Sequence, residues 1–201
     1  MAVPLKSISF SRCHAADLLA DLFPPGVTVY QSPAAESLFK YLGARRRSTV
    51  LDFGPLIRDN VELLTAHYCK LFVEDFHQGL PDERLSMLPD SELDVVLCWD
   101  LFNYLEVSLA KKLMHAISSR MTPNGVLMMH LASGQRIPKR PLHFRLADRS
   151  HISCEATCRD PLPHAALTAR ALQSLMTGWK PEHSLQLRNE FQEHLFVREP
   201  G

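Results

Sequence analysis

The sequence has 201 residues, 46% of them hydrophobic and 22% charged, and its 22 Lys and Arg balance its 22 Asp and Glu. That length suits one domain with a sizeable core, and the apolar share is ordinary for a globular protein. Zero formal charge excludes nucleic-acid binding by bulk charge, and no apolar run approaches the ~20 residues that a bilayer crossing needs.

The opening "MAVPLKSISFSRCHAADLLADLF" lacks the basic head, apolar core and small-residue cleavage site of a secretory signal. The five cysteines, Cys13, Cys69, Cys98, Cys154 and Cys158, are an odd number. Together these features predict reduced thiols in a cytoplasm and no membrane partner. Residues 1–32 read as an N-terminal extension of a single domain spanning 1–201, with a helix-like "AADLLADLF", a stop at "PPG" and a short edge strand at "VTVY". In "SPAAESLFKYLGA", Ser32 can cap a helix, Pro33 suits its first position, Glu36 fits a capping box and Gly43 can end it. The basic residues 45–47 follow, expected as a solvated loop.

Alternation of strands and helices then begins. "TVLDF" (49–53), "KLFV" (70–73), "VVLC" (95–98) and "VLMMH" (126–130) read as short strands, and "VVLC" and "VLMMHL" are apolar on consecutive residues, so both faces of those two are expected to be buried. Helical patterns separate them at 58–68 and 106–121. This order predicts a doubly wound, mostly parallel α/β sheet. Residues 133–163 carry scattered Pro, Arg, His and Ser and read as a lid-like insertion of strand and loop. A helix is expected over 164–179, then a hairpin pairing 185–187 with 194–197 as an antiparallel sheet edge.

The decisive stretch is "STVLDFGPLIRDN", residues 48–60. A buried strand runs through Asp52 into Gly54 and on into a helix, the layout of a nucleotide-binding turn. Gly54 precedes Glu74 by 20 residues and Asp75 by 21, the spacing at which a ribose-binding carboxylate falls in dinucleotide sites. Either acid answers the spacing, and Asp75 is preferred. "CWDLFNYL" lies at the carboxyl end of the 95–98 strand, the edge that faces the ligand crevice in open α/β sheets, which makes Trp99, Asp100 and Asn103 contact candidates. Asp100 could equally cap the helix that follows, and Tyr104 is expected to pack. His130 is placed near the same crevice, as a general base or as a buried, hydrogen-bonded histidine.

"VLDFG", "FVED", "LDVVLCWDLFNYL" and "RMTPNGVLMMHLAS", in this order, resemble the first, second, fourth and fifth strand regions of class I S-adenosylmethionine-dependent methyltransferases. The resemblance covers residues ~33–197. It implies a Rossmann-like methyltransferase fold with S-adenosylmethionine as cofactor. The binding residues it implies are Asp52, Gly54, Glu74, Asp75, Trp99 and Asp100, with Asp100 and His130 as catalytic candidates. The sequence departs from the family where further glycines are expected: Leu56 and Arg58 stand there, and Pro55 removes an N–H donor. Leu56 is expected either to fold into the helix–sheet core or to fill the space of the cofactor's methionyl part. The segment between Asp75 and Leu93 is too short to give the family's third strand comfortably.

Two functions follow from this pattern. One is a methyltransferase acting on a small-molecule or protein acceptor, with nucleic acid disfavoured as partner. The other is a non-catalytic methyltransferase-like regulatory or assembly protein that has lost its cofactor and works through a protein partner. "HISCEATCRDPLPH" groups His151, Cys154, Cys158 and His164, but their spacing fits no common zinc pattern and no metal is expected. GxSxG, Walker and HExxH motifs are absent.

Overall fold

The computed structural model describes residues 27–75, 88–158, 160–164, 167–187 and 190–200. Its centre is a six-stranded sheet. Four parallel strands come first: β2 (Ser48–Asp52), β3 (Cys69–Val73), β4 (Leu93–Trp99) and β5 (Met121–Ala132). Two antiparallel strands, β10 (Trp179–Gln186) and β11 (Phe191–Arg198), complete it in the order β10-β11-β5-β4-β2-β3. The fold is therefore α/β, mostly parallel, with an antiparallel C-terminal hairpin.

Strands β2, β4 and β5 bury both faces, and the core divides accordingly, whereas β3 at the sheet edge has no buried residue and its Lys70 is exposed. Val50, Val95, Leu97, Val126 and Met128 point to one side and pack with Ala35, Leu38, Phe39 and Leu42 of α1 (Pro33–Gly43). Leu51, Val96, Cys98, Leu127 and Met129 point to the other and pack with Leu113, Met114 and Ile117 of α3 (Val107–Ser118). Removing either face's apolar side chains from water stabilises the sheet by roughly 1.5–3 kcal/mol per side chain. Two further helices are α2 (Arg58–Thr65) and α4 (Ala169–Leu175). No helix among the described residues is long and apolar enough to cross a membrane.

A second sheet has three antiparallel strands: β1 (Val27–Gln31), β7 (His143–Leu146) and β8 (His151–Glu155), with β8 in the middle. Phe144, Leu146, Ile152 and Cys154 join the α1 side of the core. Two short strands, β6 (Arg136–Pro138) and β9 (Pro161–Pro163), pair with each other. The edge strand expected at "VTVY" thus edges this small sheet and not the central one.

Several boundaries differ from the sequence reading. The helix expected over 58–68 stops at Thr65, because Ala66, His67 and Tyr68 turn the chain into β3. The helix expected over 164–179 is only α4, since residues 176–178 form the turn that starts β10 six residues before the expected hairpin strand. Ser32 caps α1 by accepting the N–H of Ala35 at 2.9 Å. Glu36 does not close the capping box; it pairs with Lys40 at 2.8 Å. The segment expected to lack the family's third strand, 76–92, falls largely outside the described residues.

Candidate functional site

The carboxyl ends of β2, β4 and β5 meet at one sheet edge. Asp52 ends β2 and is 1% exposed. Its Oδ1 accepts the backbone N–H of Gly54 at 2.8 Å, so the acid anchors the turn. The same oxygen accepts the indole N–H of Trp99 at 2.6 Å. Burial pushes the Asp52 carboxyl up to about 6, outweighing those two donors.

Trp99, the last residue of β4, has φ of 48°, a left-handed conformation that a bulky residue rarely adopts. That backbone sends the indole back over Gly54. A Cβ built on Gly54 would stand 2.8 Å from both Cδ1 and Nε1 of the ring. Above the indole lie two more rings. Phe144 of β7 stacks at 5.4 Å and 8°, and His130 of β5 at 6.1 Å and 17°. His130 and Phe144 themselves stack at 4.5 Å. Glycine at 54 is needed here because an aromatic ring, and not a ligand, presses on the backbone.

His130 is fully buried. Its Nε2 lies 2.7 Å from the Tyr30 hydroxyl of β1 and 3.4 Å from Oε2 of Glu193, its register partner on β11. Glu193 also accepts the Ser32 hydroxyl at 2.7 Å and the Ala34 N–H at 3.2 Å, at the N-terminus of α1. Burial raises the Glu193 pKa, but His130, Ser32 and Ala34 outweigh it, so the group is held below its ordinary range. Burial, with Glu193 adding to it, raises the Tyr30 hydroxyl well above its ordinary value.

Asp100 is fully buried. It stands before the 3-10 turn Leu101–Tyr104 but makes no side-chain cap there. Its Oδ2 accepts the N–H of Leu142 at 2.9 Å, tying β4 to the segment before β7, while Oδ1 has no partner. Burial pushes its pKa up to about 7. Asn103 holds β5 by donating to the His130 carbonyl and accepting from the Ala132 N–H. Tyr104 does more than pack, donating its hydroxyl to the Pro138 carbonyl at 3.0 Å.

Glu74 and Asp75 follow β3 and are half-buried. The Glu74 N–H donates to the Asp52 carbonyl at 2.8 Å, which sets the acid pair beside the Gly54 turn. Leu56 takes neither expected course: it is 73% exposed, because the chain crosses the surface between Gly54 and α2. Next to it Asn60 is buried and clamps α2 to β7, donating to the Phe144 carbonyl at 3.3 Å and accepting the Leu146 N–H at 2.8 Å. Of the four residues considered for zinc, His151 Nδ1 contacts Asp148 at 3.0 Å and Cys154 is buried in β8, while Cys158 is a free, half-buried thiol.

Sequence reasoning therefore brings together Asp52, Gly54, Trp99, Asp100 and His130, with Glu74 and Asp75 at the margin. It missed Tyr30, Asn60, Phe144 and Glu193, whose partners lie far along the chain or on another sheet: Tyr30 is 100 positions from His130, Asn60 is 84 from Phe144 and Glu193 is 161 from Ser32. The signal available was volume: a tryptophan at the crevice, opposite a turn short of glycines.

No protein-family model and no curated protein matches the chain. Solved structures do. The N-methyltransferase NodS from Bradyrhizobium japonicum WM9, in complex with S-adenosylhomocysteine, is 14% identical, with 84% of this chain and 89% of that one covered at a TM-score of 0.50. The 1,6-didemethyltoxoflavin-N1-methyltransferase of Burkholderia thailandensis, with its substrate and S-adenosylhomocysteine bound, is also 14% identical, covering 84% of this chain and 77% of that one at 0.50. The chain has the class I methyltransferase fold. At such identity the likeness is one of architecture, and the site must be judged on its own geometry.

On that geometry S-adenosylmethionine does not fit the crevice. In the methyltransferase fold the cofactor lies against the glycine turn at the end of the first parallel strand, which is here β2. In this chain the Trp99 indole lies against Gly54 and uses the Asp52 oxygen, and Asp52, Trp99, Asp100 and His130 are all at most 1% exposed. A cofactor would have to displace a ring held by one hydrogen bond and two stacking partners.

Proposed function

We propose that this chain is a methyltransferase-fold protein that does not transfer methyl groups and serves as a regulatory or assembly subunit for a protein partner. The observation that carries this reading is the Trp99 ring seated on Gly54 and bonded to Asp52. A packed, hydrogen-bonded aromatic at the turn supplies the stability that a bound ligand would otherwise add, so the fold stands without cofactor. Asp100 and His130 then serve as parts of the packed floor. Asp100 holds Leu142, and His130 joins the ring stack and the Glu193 network.

One observation favours a second reading, an S-adenosylmethionine-dependent methyltransferase acting on a small-molecule or protein acceptor. The acid pair Glu74 and Asp75 remains half-exposed beside the Gly54 turn, at the spacing of a ribose-binding carboxylate. The strained φ of Trp99 is also a conformation from which a side chain could be released.

Calorimetry on the folded protein separates the two. The first reading expects no heat and no thermal shift with millimolar S-adenosylmethionine or S-adenosylhomocysteine, and the same for Asp75→Ala. Binding to the wild-type protein that Asp75→Ala weakens would overturn it in favour of the second.

A further inference from the structure

At the other end of the central sheet, where β2 and β3 begin, an open cleft of about 540 Å³ is lined by Arg47, Ser48, Thr49, Tyr68, Cys69 and Lys70. Its volume falls within the usual range for small-ligand sites, and it lies across the full length of the strands from the Gly54 crevice.

Tyr68 is the unusual member. It follows α2 at the position where a helix ends in a left-handed residue, and its φ is 57°. Its N–H donates to the Thr65 carbonyl at 2.9 Å, which fixes that turn. Glycine or asparagine ordinarily sits there, because a side chain in this conformation is strained. The tyrosine accepts that strain and yet gains no packing: it is 80% exposed. Among the described residues nothing bonds to its hydroxyl or stacks on its ring. A costly aromatic held out in solvent points to a ring that stacks on it.

The charges beside it are arranged for an anion. In the run 45–47, Arg45 is spent: it pairs with Asp94 at 2.8 Å and lies over Tyr41. Asp94 is fully engaged in turn, accepting also the Thr49 N–H and the Thr122 hydroxyl. Arg46 and Arg47 are exposed and have no acidic partner among the described residues. Lys70 stands over Phe72, its Nζ 3.4 Å from the Ser91 hydroxyl. At the floor Ser48 is 4% exposed and its hydroxyl has no hydrogen-bond partner.

We propose that this cleft binds a nucleoside phosphate, with the base stacked on Tyr68 and the phosphate held by Arg47 and Lys70. A guanidinium fork and an ammonium are the side chains suited to phosphate oxygens, and a tyrosine face accepts any base. The ligand is a small one. Asp90 and Glu92 flank Ser91, which Lys70 contacts, so a long polyanion running past Lys70 would meet carboxylates. The zero formal charge of the chain also gives a polynucleotide no bulk attraction.

The test is calorimetry on the full chain with AMP, GMP, CMP and UMP, and separately with adenosine and inorganic phosphate. At least one nucleotide should bind, and more tightly than nucleoside or phosphate alone. Tyr68→Gly should weaken that binding about tenfold or more while raising Tm, since it removes a stacking face and relieves the left-handed strain. Arg47→Ala should weaken it comparably with Tm unchanged. No binding of any nucleotide to folded protein at millimolar concentration would overturn the proposal. So would unchanged affinity in Tyr68→Gly, or an oligonucleotide that binds at least about tenfold more tightly than any mononucleotide with a steep salt dependence. These outcomes do not depend on the Gly54 crevice, so either result leaves the reading of the methyltransferase site standing or falling on its own.

Discussion

The Trp99 indole and Gly54 occupy one another's only available space: the ring's N–H bonds to the acid that anchors the glycine, and its Cδ1 lies where a Cβ at 54 would be 2.8 Å away. Gly54→Ala should therefore destabilise the protein by ~1–3 kcal/mol, the usual cost of forcing atoms into a packed site. Urea unfolding measures it. Trp99→Phe removes the N–H and narrows the ring, so the double variant should lose less than the sum of the two single losses. Additive losses would mean that the ring does not rest on the glycine.

Asp100 gives a prediction in pH. Its carboxyl is pushed up to about 7 by burial, with Oδ1 unpartnered. A raised acid binds its proton in the folded state at pH values where the unfolded chain, titrating near 3.9, has released it. Its contribution to stability is thus complete below about pH 4 and is lost as pH rises through 7. Asp100→Asn keeps an oxygen for the Leu142 N–H and removes the ionisation. The variant should match wild type near pH 4 and exceed it increasingly up to pH 8, by denaturation midpoints. A constant offset across that range would contradict a buried, ionising carboxyl.

The central parallel strands were legible because β4 and β5 carry runs apolar on consecutive residues, and the two-sided core they form is a local property of those runs; β3, at the edge with Lys70 exposed, does not share it. Asp52 as the anchor of the turn was legible for the same reason: a carboxylate two residues before a glycine can reach its N–H without help from elsewhere. Trp99 was legible as a crevice residue but not as an occupant, since its orientation depends on a left-handed backbone and on Phe144, 45 positions later. The pairing of β1 with β8 was hidden because "VTVY" marks a strand and says nothing of its partner more than 120 residues on. Leu56 went to the surface because the path from Gly54 to α2 is set by the Asn60 clamp, another long-range contact.

That clamp is testable. Asn60 is buried and serves β7 twice, at the Phe144 carbonyl and the Leu146 N–H. Asn60→Ala would leave both backbone groups without partners and should cost ~1–3 kcal/mol. It should also loosen Phe144 over the ring stack, read as faster amide exchange at Leu146. Unchanged exchange there would show that β7 is held by other contacts.

Glu193 should carry the opposite pH signature to Asp100. It accepts from Ser32 and Ala34 at the positive end of α1 and faces His130 at 3.4 Å, and these interactions hold its pKa below the ordinary range despite burial. A lowered acid stabilises the folded state above the unfolded carboxyl range and loses that contribution as pH falls through its folded pKa. The titratable groups that face it are His130, Tyr30 and, beside it, His194, whose pKa burial lowers to about 4. Glu193→Gln keeps the shape but gives up the charge, so it should cost ~1.5–3 kcal/mol at pH 7. The difference from wild type should shrink as pH falls toward 4, where the unfolded carboxyl begins to take up its proton. Stability curves for the pair, taken by urea denaturation from pH 4 to 8, should converge at the acid end. Curves in which Glu193→Gln becomes the more stable protein toward pH 8 would mean that Glu193 is protonated in the folded protein and that its bonds to Ser32, Ala34 and His130 are not those of a carboxylate.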